Sequence, residues 1–122
     1  MKFTFDKIKE FAEIGKLYSD FNDNKLSYAI KKVLKRIDKV QVQINEAMED
    51  LRIDNCNVDE KGNVLRDEKG SYQYTKEGLK ALGKGMRELK DAEYELEIYI
   101  ATETPEGLTE EQKEAFKGIV IE

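Results

Sequence analysis

The side chains best suited to chemistry in this chain are the acids of a repeated tetrapeptide. Asp-Glu-Lys-Gly opens at Asp59 and again at Asp67, within DEKGNVLRDEKGSYQY, residues 59–74. Asp59, Glu60, Asp67 and Glu68 together suggest a site for a hard cation. A calcium loop, however, sets oxygen ligands at alternating positions and ends on a bidentate acid. Here each acid pair runs into Lys and then Gly, so most ligand positions are missed. Asp-x-x-Gly is instead a turn former, in which Asp accepts from its own backbone and Gly supplies positive φ. With NVLR and SYQY as strand-like segments between the turns, the reading is a β-hairpin over 58–74 or a three-stranded meander, turning at 59–62 and 67–70. No metal and no cofactor is expected.

Other catalytic constellations fail on residue type. The chain has no His and a single Cys. That removes Ser-His-Asp and Cys-His arrangements, Cys-rich zinc sites and internal disulfides. Cys56 reads as a small apolar residue near a helix end. Gly-x-Gly in LGKGMRELK lacks the preceding strand and the remaining glycine of a phosphate loop. An enzyme is therefore not expected.

What remains is recognition chemistry. Arg66, Tyr72 and Tyr74 fall on facing segments of the hairpin, where a guanidinium can stack on a tyrosine or pair with an anion. A plainer reading has Tyr72 and Tyr74 covering the helix below. Arg52 and Arg87 are further candidates for an anionic ligand. The charge is also divided: KKVLKRIDK, residues 31–39, is basic, whereas residues 91–122 are strongly acidic. A net charge of -5 makes a nucleic-acid partner unexpected.

The elements that position these residues follow from periodicity. Residues 4–18 read as a short amphipathic helix with Thr4 or Asp6 as cap, and SDFNDN marks a break. Leu26, Ile30, Val33, Ile37, Val40, Ile44, Ala47 and Leu51 then step alternately by four and three, a heptad seam of coiled-coil type along a helix over 25–54. Such a helix, about 40 Å long at 1.5 Å per residue, needs a partner for its seam. A second helix is expected over 76–92, capped by Thr75 and weakened by Gly78, Gly83 and Gly85, which also permit a close neighbour. Alternation from Tyr94 to Ile100 favours a strand over 94–101. Thr109 to Gln112 form a capping box for a short helix over 109–117. The last residues, IVIE, form a small strand or an apolar plug.

These elements make one domain, 1–122, of α+β class and mainly α: a long antiparallel helical hairpin with a protruding β-hairpin, a short extra strand and a short C-terminal helix. Because the seam outruns its partner helix, a homo-oligomer is expected. No apolar run is long enough to span a bilayer, so no membrane role is expected and the cytoplasm is the expected location.

In this order KLSYAIKKVLKRIDK, DEKGNVLRDEKGSYQY, YELEIYI and PEGLTEEQKEAF resemble an uncharacterised family of small bacteriophage proteins. The resemblance implies a phage origin and a small helical-hairpin fold, and it brings no catalytic residues. GLTEEQKEAFKG also resembles the opening of an EF-hand helix, but no Asp-rich loop follows and no calcium function is carried over. The expectation for function is a non-enzymatic accessory factor that binds or inhibits a host protein in the bacterial cytoplasm. Alternatives are an oligomeric sponge for a small anionic ligand such as a signalling nucleotide, and a virion component or assembly chaperone.

Overall fold

The computed structural model describes residues 1–122. In chain order the elements are β1 (Lys2–Phe3), α1 (Phe5–Phe21), α2 (Lys25–Asn55), α3 (Lys76–Asp91), β2 (Tyr94–Glu95) and α4 (Glu110–Phe116). Helices hold 58% of the residues, so the α+β fold is mainly α. The chain divides into two compact units, one built from residues 1–41 and 92–122, the other from residues 42–91. No helix is long and apolar enough to cross a membrane.

In the first unit, Thr4 caps α1 by accepting from the Lys7 N–H. The helix continues to Phe21 because Ser19 and Asp20, which read as a break, are tolerated within it. The stop is at Asn22, whose amide donates to the Tyr18 carbonyl at 2.9 Å. Asn24 then caps α2, its Oδ1 accepting from the Ser27 N–H at 2.9 Å. α1 lies close on α2 at Gly15, where a Cβ would stand 2.9 Å from Ile30 Cγ2. α4 closes the core: Phe116 meets Phe11 and Tyr18 edge-on, at ring separations of 6.0 and 5.8 Å. Such pairs add about 0.5–1.5 kcal/mol each beyond the area they bury.

The segment after α3 shows a two-residue ladder where a longer strand was expected. β2 pairs antiparallel with β1, Lys2 opposite Glu95 and Phe3 opposite Tyr94. Beyond it the N–H groups of Leu96, Tyr99 and Ala101 donate to Met1, Ile119 and Val120 in turn. The alternation of 94–101 is therefore spent on separate partners, and it fails at Ile98, which is exposed. Ile119, Val120 and Ile121 are buried as an apolar plug. The Thr109–Gln112 capping box forms in full.

The heptad seam is covered from within the chain over most of its length. Leu26, Ile30, Val33, Ile37 and Ile44 are buried, and Val40, Ala47 and Leu51 are half-buried. In the second unit α3 lies against the end of α2 at two glycines. A Cβ on Gly78 would stand 2.6 Å from the Asn55 carbonyl oxygen, and one on Gly85 2.6 Å from Leu51 Cδ2. Gly83 faces neither, and a Cβ there would make only an ordinary contact with the Arg87 guanidinium.

Candidate functional site

The repeated tetrapeptide folds twice into the same turn. Asp59 Oδ1 accepts from the N–H groups of Lys61 and Asn63, and Asp67 Oδ1 from those of Lys69 and Ser71. Gly62 and Gly70, at φ of +83° and +81°, donate back to the Asp59 and Asp67 carbonyls at 3.0 Å. Only glycine takes this left-handed conformation without cost. The bonds from Asn63 hold the Asp59 carboxyl below its usual 3.8, against a smaller opposing effect of burial. Asp59 and Asp67 are thus occupied by main-chain donors. No group of three or more acids and thiols in the chain is placed to hold a metal ion.

Between the turns the main chain closes on itself. The Leu65 N–H donates to the Asn57 carbonyl, Gln73 to Leu65, and Asn57 to Gln73, at 3.0, 3.1 and 2.8 Å. Isolated bridges join Val58 to Val64 and Arg66 to Tyr72. The three residues stand eight apart, so the segment is a ring of three strand-like pieces rather than a flat hairpin ladder. A third, divergent repeat completes it: Thr75 occupies the place of Asp59 and Asp67, and Gly78 that of the turn glycines. The Thr75 hydroxyl accepts from the Gly78 N–H at 3.0 Å, and this turn runs on into α3.

This brace sets the side chains of the candidate site. Arg66 lies over the Tyr72 ring, its guanidinium carbon 4.3 Å from the ring centroid, and its Nη1 donates to the Gly70 carbonyl at 2.8 Å. Tyr74 meets Tyr72 edge-on, at a ring separation of 6.5 Å. The Tyr72 hydroxyl donates to Glu49 Oε1 on α2, and Glu49 Oε2 pairs with Arg52 at 3.3 Å. The Tyr72 hydroxyl is the main cause holding the Glu49 carboxyl below its usual 4.5, with the Arg52 and Arg66 charges acting the same way. Loss of solvent around the Tyr74 phenol, with the nearby Cys56 thiol second, pushes it above its usual 10.0.

Arg66, Tyr72, Tyr74 and Arg52 are therefore brought together. Arg87 is not: it stands exposed on α3 with its guanidinium toward Gly83, and no hydrogen bond, ion pair or ring contact ties it to the cluster. Glu49 is the member that reading the sequence missed. It lies 23 residues from Tyr72 along the chain, and nothing local marks the pair. The first unit carries a second cationic aromatic cluster, also unanticipated, in which Lys32 Nζ lies 5.3 Å from the Tyr28 ring centroid and 4.9 Å from that of Tyr99.

At neutral pH the Glu49 shift keeps a carboxylate and the Tyr74 shift keeps a phenol. Neither group moves toward the neutral range in which a general acid or base works best. The cluster offers instead an exposed guanidinium stacked on the half-buried Tyr72 ring and tied to the Gly70 carbonyl, with the half-buried Tyr74 ring beside it. Comparison of the chain with protein-family models, curated proteins and solved structures finds no match.

Proposed function

We propose that this protein is a non-enzymatic interaction protein that recognises another protein through Arg66, Tyr72 and Tyr74. In the setting implied by the phage resemblance, it is an accessory factor acting on a host protein. The observation that carries this reading is the preorganised stack of Arg66 on Tyr72, tied to the Gly70 carbonyl and to Glu49. Arg and Tyr are the residue types that dominate protein interfaces. Side chains already held by contacts within the free protein lose less entropy on binding.

The anion-sponge alternative draws less support from the same geometry. Glu49 counters the charge of Arg52, and Arg87 stands outside the cluster. A small anion meets one guanidinium outside an ion pair, that of Arg66, rather than three converging ones. The test is capture from host lysate on immobilised protein, followed by reconstitution with the purified partner. Arg66→Glu is expected to weaken the reconstituted complex by more than about tenfold, the scale of an interface hot spot. Affinity unchanged by that substitution overturns the site. A rise in melting temperature with a nucleotide from a panel, without any protein partner, favours the sponge instead.

A further inference from the structure

α3 carries its large apolar residues on one stripe, Leu79, Leu82, Met86 and Leu89 at steps of three and four, yet none of them is fully buried. Water on such a stripe is a standing cost that a further contact would remove. On one side of its contact with α2 the two helices leave an open cleft of about 350 Å3, wholly within the second unit. Ala47 and Leu51 of α2 and Gly85 and Leu89 of α3 line it and are half-buried, so they form an apolar floor. The cleft exists because Ala47 and Gly85 have no bulk to fill it.

The rim of the cleft is acidic. Asp50 and Asp54, one turn apart on α2, and Glu88 on α3 line it and are exposed, and no Lys or Arg does so. Carboxylates alone would mark only a solvated surface. Standing on both walls of an apolar floor, they select the charge of whatever covers it, because an acidic occupant is repelled and a neutral one leaves them beside a dry contact.

The shape of the occupant follows from the walls. α2 and α3 run antiparallel here, Gly78 beside Asn55 and Gly85 beside Leu51. A third helix laid along a cleft between two helices packs its side chains into their grooves, with anchors at i, i+3, i+4 and i+7. The basic stretch 31–39 of a second copy does not fit, because its Val33 and Ile37 are buried in their own unit.

We propose that this cleft docks a basic amphipathic helix of another protein, its apolar residues over Ala47, Leu51, Gly85 and Leu89 and its lysines or arginines against Asp50, Asp54 and Glu88. Apolar burial supplies most of the affinity, and the rim charges set partner choice and speed of encounter. Exposed ion pairs are individually weak and screened, so salt lowers the affinity without abolishing it. At about 100° per residue Asp50 and Asp54 lie roughly opposite Glu49 and Arg52 on α2. The cleft is therefore a second surface, separate from the Arg66 cluster, and Arg66→Glu leaves it unchanged.

Titration of the isotope-labelled full chain with three synthetic peptides of the length of α3 tests this, read by amide NMR shifts and by fluorescence anisotropy. One peptide has leucines on a single helical stripe flanked by lysines; the second has glutamates in place of the lysines; the third has the composition of the first with its leucines scattered round the helix. The lysine peptide is expected to saturate, with the largest shifts at Ala47, Leu51, Gly85 and Leu89. The other two are expected to bind at least about tenfold more weakly. Asp50→Lys with Asp54→Lys reverses the preference, so that the glutamate peptide binds more tightly than the lysine one. Both positions are exposed and a base near the carboxyl end suits a helix, so the fold is expected to hold, as circular dichroism checks. Should that variant unfold, Glu88→Lys gives the same reading by weakening the lysine peptide relative to the glutamate one. Failure of the lysine peptide to bind wild type overturns the proposal, as do equal binding of the three peptides, shifts centred on another surface, or a preference that charge reversal leaves unchanged. Shifts at the same amides on raising the protein concentration without peptide assign the cleft to a second copy and likewise overturn it.

Discussion

Glu49 shows how one residue can join a helix to a turn-braced segment without any local signal. Its depressed titration has a defined consequence for pH. A carboxyl whose folded-state value lies below the ordinary 4.5 contributes stability that is complete above 4.5 and lost as pH falls through the folded value. Tyr72→Phe removes the largest cause of the depression while leaving the ring under Arg66. The Glu49 midpoint, followed by carboxyl carbon NMR, is expected to rise toward 4.5; an unchanged midpoint shows that the hydroxyl bond is not the cause. The adjacency of Arg66 and Tyr72 was legible in the sequence because two Asp-x-x-Gly turns fix the register between them. Glu49 was not, since docking of 59–74 on α2 depends on packing between segments distant in sequence. Arg87 was grouped with the other arginines by residue type alone, and residue type carries no direction.

At the scale of elements, the three glycines of α3 separate propensity from packing. In an exposed helix interior, Gly→Ala is worth about 0.5–1 kcal/mol of stability. Gly83→Ala is expected to show that gain, since its Cβ meets only the Arg87 guanidinium, at 4.0 Å. Gly78→Ala is expected to lose about 1–3 kcal/mol, the cost of forcing atoms into a closed contact, whereas Gly85→Ala is expected to fall between the two, because the end of the Leu51 side chain that it meets can swing aside. The Gly78 case is the harder one, because the obstructing atom is a main-chain oxygen that cannot swing aside. Urea denaturation of the three variants checks the sign of each. The sequence showed that glycines here permit a close neighbour but not which of them do, because that depends on the side of α3 facing α2. The seam of α2 was legible as a stripe, as its four-three rhythm demands burial whatever covers it, but not that Val40, Ala47 and Leu51 would be only half-buried. β1 was not, since two residues carry no period.

At the scale of the whole molecule, burial is unequal. Apart from Ile44, every buried apolar side chain belongs to residues 1–41 and 92–122, and α3 buries no residue fully. Residues 42–91 rest on half-buried contacts and on hydrogen bonds open to solvent, the features of regions that open at low free energy. Hydrogen exchange by mass spectrometry is therefore expected to show α3 amides exchanging at least about tenfold faster than those of α1 and residues 26–37, a gap of about 1.4 kcal/mol. Equal protection throughout indicates a single cooperative unit. The α+β class with a helical majority was legible because class follows from the periods of the longest segments. The division into two units was not, for one helix runs through both and the sequence shows no linker.

The ring closed by Asn57, Leu65 and Gln73 is made of main-chain atoms alone, and the turns beside it depend on just Asp59, Gly62, Asp67 and Gly70. Shape is thereby uncoupled from surface identity. Glu60, Lys61, Glu68 and Lys69 can drift, and positions 66, 72 and 74 can be exchanged for other recognition chemistry, without renegotiating the backbone. Under a partner that keeps changing, such a segment diversifies one residue at a time, and each intermediate still folds.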